Sequence, residues 1–190
     1  LGLFEANDYA NFQSNIVNIC YTNDRLSFLT RSDHFTSIDW KKKKKKNGFL
    51  KDVTVKLFPK NYKIAKATIN APAWFNQLKM NELKLFQQPA CHKRKQLLQS
   101  LHYLSTKTKI SKSVLSYVPL SVLYHHAKKP NKALFDRIPS PSVIEIVRPN
   151  WNLEPIIGTN LNISHVGFAV RINHILYFRE ASSIAHKVID

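Results

Sequence analysis

From Ser142 to the end, the chain is cut into short β-favouring runs, and this restricts the fold more than any other feature. Val143 to Val147, Val166 to Ile172, Ile175 to Phe178 and a last segment near Val188 are rich in β-branched and aromatic residues and too short for ordinary helices. Asn173 and His174 separate two of them by two residues. That is the spacing of a tight hairpin, so the flanking strands run antiparallel.

Ahead of this region the periodicity is helical. Tyr9, Phe12, Ile16 and Ile19 share one face of a short helix that Asn7 or Asp8 can cap. Trp74 to Phe86 and Lys93 to Leu104 have the apolar spacing of helices, with Pro72 and Pro89 near their starts. Val53, Val55 and Leu57 alternate with polar neighbours and predict a strand, while Ile110 to Tyr124 reads as extended and then helical. Arg31, His34, Phe35, Asp39 and Trp40 mix charge with aromatics in a loop. The six lysines Lys41 to Lys46, followed by Asn47-Gly48, read as a self-repelling, solvated loop. A helical first half followed by antiparallel strands is an α+β arrangement.

At 190 residues and 44% hydrophobic, the chain can bury one substantial core, and a single domain over residues 1–190 is expected. An aromatic content of 11% with 4 glycines argues against disorder. There is also no apolar run of about 18 residues to span a bilayer. The opening Leu1, Leu3 and Phe4 have no capping residue ahead of them, which predicts that Leu1 to Ala6 is the tail of a helix truncated at its N-terminus. The formal charge is +17, of which Lys41 to Lys46 supply six, leaving +11. Such a field favours anionic partners: nucleic acid, a membrane surface, or carboxylate-rich cell-wall polymer. Cys20 and Cys91 are too few for a disulfide scaffold.

The chemistry-bearing stretch is Ser164-His165-Val166-Gly167-Phe168, a histidine at a strand start with a glycine that admits close backbone approach. Taken alone it is also compatible with a packed, structural histidine. Around it stand Ile138-Pro139, Val147-Arg148-Pro149-Asn150-Trp151, Ile157-Gly158-Thr159-Asn160-Leu161 and Tyr177-Phe178-Arg179-Glu180-Ala181-Ser182-Ser183. Arg31-Ser32-Asp33-His34-Phe35 with Asp39-Trp40 forms a second block. Together these stretches resemble the N-acetylmuramoyl-L-alanine amidase-like branch of the NlpC-type cysteine hydrolases, which cut peptidoglycan.

The resemblance implies a papain-like core, with a helical N-terminal half packed on a C-terminal antiparallel sheet. It implies a Cys-His-polar arrangement in which His165 is the base. The orienting position falls at Glu180, where the family more often has histidine. The nucleophilic cysteine would precede Leu1, ahead of the helix tail. Cys20 ends a helix, where the dipole disfavours a thiolate. Cys91, with His92, Lys93 and Arg94 beside it ahead of a helix, is a second candidate nucleophile.

Arg31 and His34 are candidates for binding the carboxylates of a stem peptide, or for holding a loop. Arg148, Trp151, Asn160 and Ser164 lie on the approach to His165 and are candidates for lining the groove, with core packing the other reading of Trp151. The implied substrate is peptidoglycan or a muropeptide, and the implied location periplasmic or secreted. No cofactor and no metal are expected: there is no Cys-x-x-Cys or His-Glu-x-x-His, and His125-His126 are adjacent, a poor spacing for one ion. No nucleic-acid motif accompanies the scattered basic residues, so no nucleic-acid partner is expected. A non-catalytic papain-like protein that binds anionic wall polymer is the alternative.

Overall fold

The structure, a computed structural model, describes residues 8–21, 26, 31, 34–46, 48–79, 91–125 and 129–190; of Ile16, Ile19 and Cys91 it describes the backbone. The anticipated helix tail at Leu1 to Ala6 lies outside the described residues. The architecture is mixed α and β with antiparallel strands, divided into two compact units that alternate along the chain. The first unit takes residues 1–50, 70–111 and 154–159, and the second takes the rest. Among the described residues, no helix is long and apolar enough to cross a membrane.

The first unit is helical. Helix α1 (Tyr9–Cys20) starts where Asp8 accepts the backbone N–H groups of Ala10 and Asn11 at 3.0 and 3.1 Å, satisfying two of the orphan donors of a helix start. A π-helical turn (Thr36–Trp40) runs straight into α2 (Lys41–Lys46). Helix α4 (Ala71–Gln77) is capped by Asn70, whose side chain accepts from the N–H of Ala73, and carries Pro72 in its first turn, where no N–H is lost. It packs on α5 (Cys91–Lys107) and touches α8 (Glu154–Ile157). Among the described residues, Phe35, Ile38, Ala71, Phe75 and Leu101 are the buried apolar residues of this unit. Leu101, with no exposed surface, contributes about 1.5–3 kcal/mol by burial.

The second unit holds the sheets. A two-stranded sheet pairs β1 (Lys63–Asn70) with β2 (Ile110–Tyr117). A four-stranded antiparallel sheet runs β3 (Ser142–Trp151), β4 (Leu161–Ile172), β5 (Ile175–Ser182) and β6 (Lys187–Ile189) in sequence order. Three one-turn helices, α3 (Thr54–Leu57), α6 (Leu120–Leu123) and α7 (Lys132–Phe135), complete it. Asn173 and His174 form the β4–β5 turn with φ of 47° and 66°, both left-handed as a two-residue hairpin of this twist requires. The Arg171 guanidinium donates to the carbonyls of Phe135, Ile138 and His174, tying α7 to that hairpin.

Three expectations change. Lys41 to Lys46 is helix rather than loop, and Lys44 is only 6% exposed. Lysine is a good helix former, a like-charge pair costs only about 0.2–0.5 kcal/mol, and the aliphatic stem can be buried. The chain then turns at Gly48 (φ 75°), and Phe49 N–H donates to the Lys44 carbonyl. Val53 to Leu57 contains a helical turn, not a strand, because the Asp52 side chain accepts the N–H of Thr54 at 3.0 Å and starts it. The first strand lies at Lys63 to Asn70 instead, so the first half is not purely helical; its buried positions, Ala65 and Ile69, are too few to mark it against four polar residues. The helix anticipated over Trp74 to Phe86 begins earlier, at Ala71, and leaves helical geometry at Leu78, with residues 80–86 outside the described set.

Gly158 closes α8 with φ 74°, and a side chain there would also press on the Gln77 amide at 2.8 Å. Gly158→Ala is expected to cost about 1–2 kcal/mol in urea denaturation from the left-handed backbone alone. The double variant Gly158→Ala/Gln77→Ala should recover little of that loss, because Gln77 has a flexible end and the backbone does not.

Candidate active site

His165 owes its position to an irregularity in strand pairing. On β3 and β4, Ile146 pairs with His165 and Val147 with Ile163, so Ser164 is an extra residue with no partner of its own. This is a β-bulge, which bends a strand and re-aims the side chain beside it. The Ser164 hydroxyl donates to the carbonyl of Ile146 at 3.2 Å, holding the bulge. A second slip follows between Val147 and Trp151, where Pro149 has no N–H to pair and Asn150 is left-handed, φ 58°.

Two residues on, Gly167 answers to a different need. A Cβ at Gly167 would meet the Phe178 ring at 2.6 Å and the Arg179 carbonyl at 2.8 Å, so the ring lies where any other residue would carry its side chain. The same ring stands edge-on to the imidazole of His165, with centroids 6.3 Å apart and planes at 68°. Phe168 pairs with Arg179, so the next residue of β5, Glu180, returns to the face that carries His165. Its Oε2 approaches His165 Nε2 at 2.5 Å. Nε2 is shut off from solvent and the contact lacks aligned N–H geometry, so the carboxylate lies against the ring nitrogen without forming a linear hydrogen bond. The two side chains stay 40% and 24% exposed, so water reaches the site. Nδ1 carries no hydrogen bond among the described residues, which leaves it able to accept a proton.

Glu180 is fixed from its other side as well. It pairs with Ile189 on β6, and the neighbouring Arg179 grips Asp190 through two bonds of 2.6 and 2.7 Å. The hydrogen bond from Arg179 holds the Asp190 carboxyl below the usual carboxylate range. Sequence reading anticipated the last strand near Val188 but missed this clamp, because the spacing of Arg179 and Asp190 does not reveal which side chains the returning strand brings together.

The other anticipated residues fall into three places. Arg148 and Trp151 belong to β3, and the guanidinium lies over the indole at 5.1 Å. Trp151 and Asn160 line a groove of about 560 Å³ in the second unit, with Lys66, Thr68, Lys112 and Ser113 among its other walls. Those four were not anticipated, since lysine, serine and threonine on strands carry no signal of their own. In the first unit, His34 packs against Trp74 and Phe75 at 5.6 and 5.2 Å, and its Nε2 is buried. Arg31 is exposed and bridges to Tyr21. Cys20 is a half-buried thiol in the last position of α1, and Cys91 is the first residue of α5. Among the described residues no three His, Cys, Asp or Glu side chains are placed to hold a metal ion.

A mixed α and β chain with a histidine–carboxylate pair on an antiparallel sheet, held by a bulge and a close-packed glycine, is what the fold and site define. The chain belongs to the AmiA-like family, described as N-acetylmuramoyl-L-alanine amidase-like, whose model matches residues 1–190. It is similar to a solved Legionella pneumophila protein of the DUF1460 family, at 39% identity and TM-score 0.85, covering 97% of this chain and 62% of that one. An N-acetylmuramoyl-L-alanine amidase from Bacteroides uniformis shares the fold at 22% identity and TM-score 0.53, covering 96% of this chain and 64% of that one. A proposed xylanase from Bacteroides fragilis does so at 19% identity and TM-score 0.56, over 96% of this chain and 66% of that one. The chain thus spans 62–66% of the length of these solved proteins. No curated protein matches it.

Two outcomes are expected. Gly167→Ala must turn Phe178 or part the strands, with a loss of about 1–3 kcal/mol in urea melts and a changed chemical shift for the His165 ring protons. Lowering the pH should weaken the β5–β6 clamp. Because Asp190 has a depressed carboxyl, its stabilisation is present above the unfolded value of about 3.9 and is lost as pH falls through the folded one. Below about pH 4, Asp190→Asn should therefore flatten the fall in denaturation midpoint seen in the parent protein.

Proposed function

We propose that this chain is the greater part of a single papain-like, NlpC-type hydrolase domain that cleaves an amide bond of peptidoglycan, in the periplasm or outside the cell. The observation that carries the proposal is the His165–Glu180 pair: Nε2 occupied by a carboxylate, Nδ1 left open, and the ring partly exposed. An imidazole held in this way can take a proton from a thiol and later return it to a leaving group, while the carboxylate steadies the ring.

The nucleophile in this reading is a cysteine upstream of Leu1, as the sequence resemblance implies. Its thiolate attacks the amide carbonyl, and the tetrahedral oxyanion collapses as His165 protonates the departing amine. Water then attacks the thioester, with His165 again as base, and releases the acid and the free thiol. The amide joins muramic acid to the stem peptide or lies within that peptide. Arg148, Trp151, Asn160 and Ser164 serve the substrate groove, directly or by holding its strands. Arg31 faces solvent where a carboxylate can meet it, and His34 acts by packing on Trp74 and Phe75.

The test uses the protein with its natural upstream residues, purified sacculi, and mass spectrometry of the released fragments. New amine or carboxyl ends are expected. His165→Ala should lower their rate of appearance by about 10²–10⁴-fold. Glu180→Gln should lower it less, because a solvated carboxylate exerts a weaker field than a buried one. Full activity of the His165→Ala protein would sink the mechanism. Retention of sacculi with unchanged fragments would instead favour a binding protein for anionic wall polymer, the rival reading that the departure from histidine at Glu180 motivates. Alkylation at Cys91 without loss of activity would remove that thiol as nucleophile.

A further inference from the structure

Between Leu161 and His165, strand β4 loses the guidance of its neighbours. Its pairing with β3 shifts twice in this stretch, once between Ile146 and Val147 and again between Val147 and Trp151, and its pairing with β5 begins only at Phe168. Register is normally also held by alternation of buried and exposed side chains, since a slip of one residue sends every side chain to the other face. Here that alternation fails as well, because Asn162 and Ile163 are consecutive and both buried. Neither the ladder nor the burial pattern therefore fixes the register just ahead of His165.

One side chain supplies what both lack. Asn162 has no exposed surface, and its amide nitrogen donates at 3.0 Å to the hydroxyl of Ser113 on β2, which is itself 3% exposed. The Asn162 amide oxygen has no hydrogen-bond partner among the described residues. A buried amide satisfied on one side only is a poor source of stability, because its bare oxygen has left water without a replacement bond. It is a good source of specificity, because a shifted register carries the amide nitrogen away from the Ser113 oxygen too.

We propose that Asn162 is a positioning residue for His165: its bond to Ser113 pins the register of β4 where the ladder is interrupted, and so sets the bulge at Ser164 and the face on which the imidazole stands. His165 lies three residues further on, roughly 10 Å along the strand, so Asn162 acts through the backbone and not at the reacting atoms. A slip of one residue would turn the imidazole away from both Phe178 and Glu180. The consequence for turnover rests on the hydrolase reading, whereas the register does not.

Two readouts on the protein with its natural upstream residues test this role: the nuclear Overhauser contact between the His165 and Phe178 rings, and kcat and KM on soluble muropeptides. Asn162→Leu/Ser113→Ala removes both polar partners. It should keep the parent's urea midpoint yet lose the ring contact and lower kcat about 10²-fold with KM little changed. Ser113→Thr, which keeps the hydroxyl, should retain the contact and the rate. Ser113→Ala, a smaller change that serves where the double variant does not fold, should weaken the contact and lower kcat. An intact ring contact in either alanine variant, its loss in Ser113→Thr, or a fall in the double variant's urea midpoint alongside the lost contact would overturn the inference. The ring contact decides the matter even where the parent cleaves nothing, an outcome that sinks the hydrolase reading alone.

Discussion

The site depends on an absent atom. Because Gly167 has no Cβ, the Phe178 ring can lie flat across β4 and reach the imidazole of His165. Without that ring, the imidazole would lose the contact that backs its half-exposed approach to Glu180, and exposed polar contacts hold geometry poorly. The bulge at Ser164 completes the arrangement from the β3 side, with the serine hydroxyl donating to the Ile146 carbonyl. One strand thus receives a side chain from β5 and a register shift from β3, and His165 stands where they meet.

Electrostatics follows a parallel economy. There are 12 acidic residues against 29 Lys and Arg, so the position of each carboxylate matters. Asp8 caps α1, Asp52 accepts the N–H of Thr54 at the start of α3, Asp136 pairs with Lys132, Asp190 grips Arg179, and Glu180 meets His165. None of these lines the groove of the second unit, where Lys66 and Lys112 lie. The same scarcity makes the Arg179–Asp190 clamp important to the site, because it holds β6 beside the residue that faces His165.

Legibility in the sequence tracked the range of the forces involved. The Asp8 cap, the α5 helix, the four C-terminal strands and the Asn173-His174 turn were all readable, since each is set by residues within a few positions of one another. The Val53 to Leu57 alternation misled because three residues cannot separate a strand from a turn, and one hydrogen bond to Asp52 decided it. The lysine run misled in the opposite way. Its charges pointed to solvent, while backbone propensity and burial of the Lys44 stem made it helix.

The motif around His165 could be found by reading along the chain, including the glycine that permits close approach. What filled the space beside that glycine could not, because Phe178 lies eleven residues away and reaches it only once a hairpin has closed. Local sequence therefore determined the strands, the turn and the histidine, through steric preferences that each residue carries with it. The tertiary structure alone decided which ring nitrogen meets Glu180, that Asp190 returns to Arg179, and that Lys66 and Lys112 share a groove with Trp151. Those are contacts between surfaces, and strand register, not sequence spacing, sets which surfaces meet.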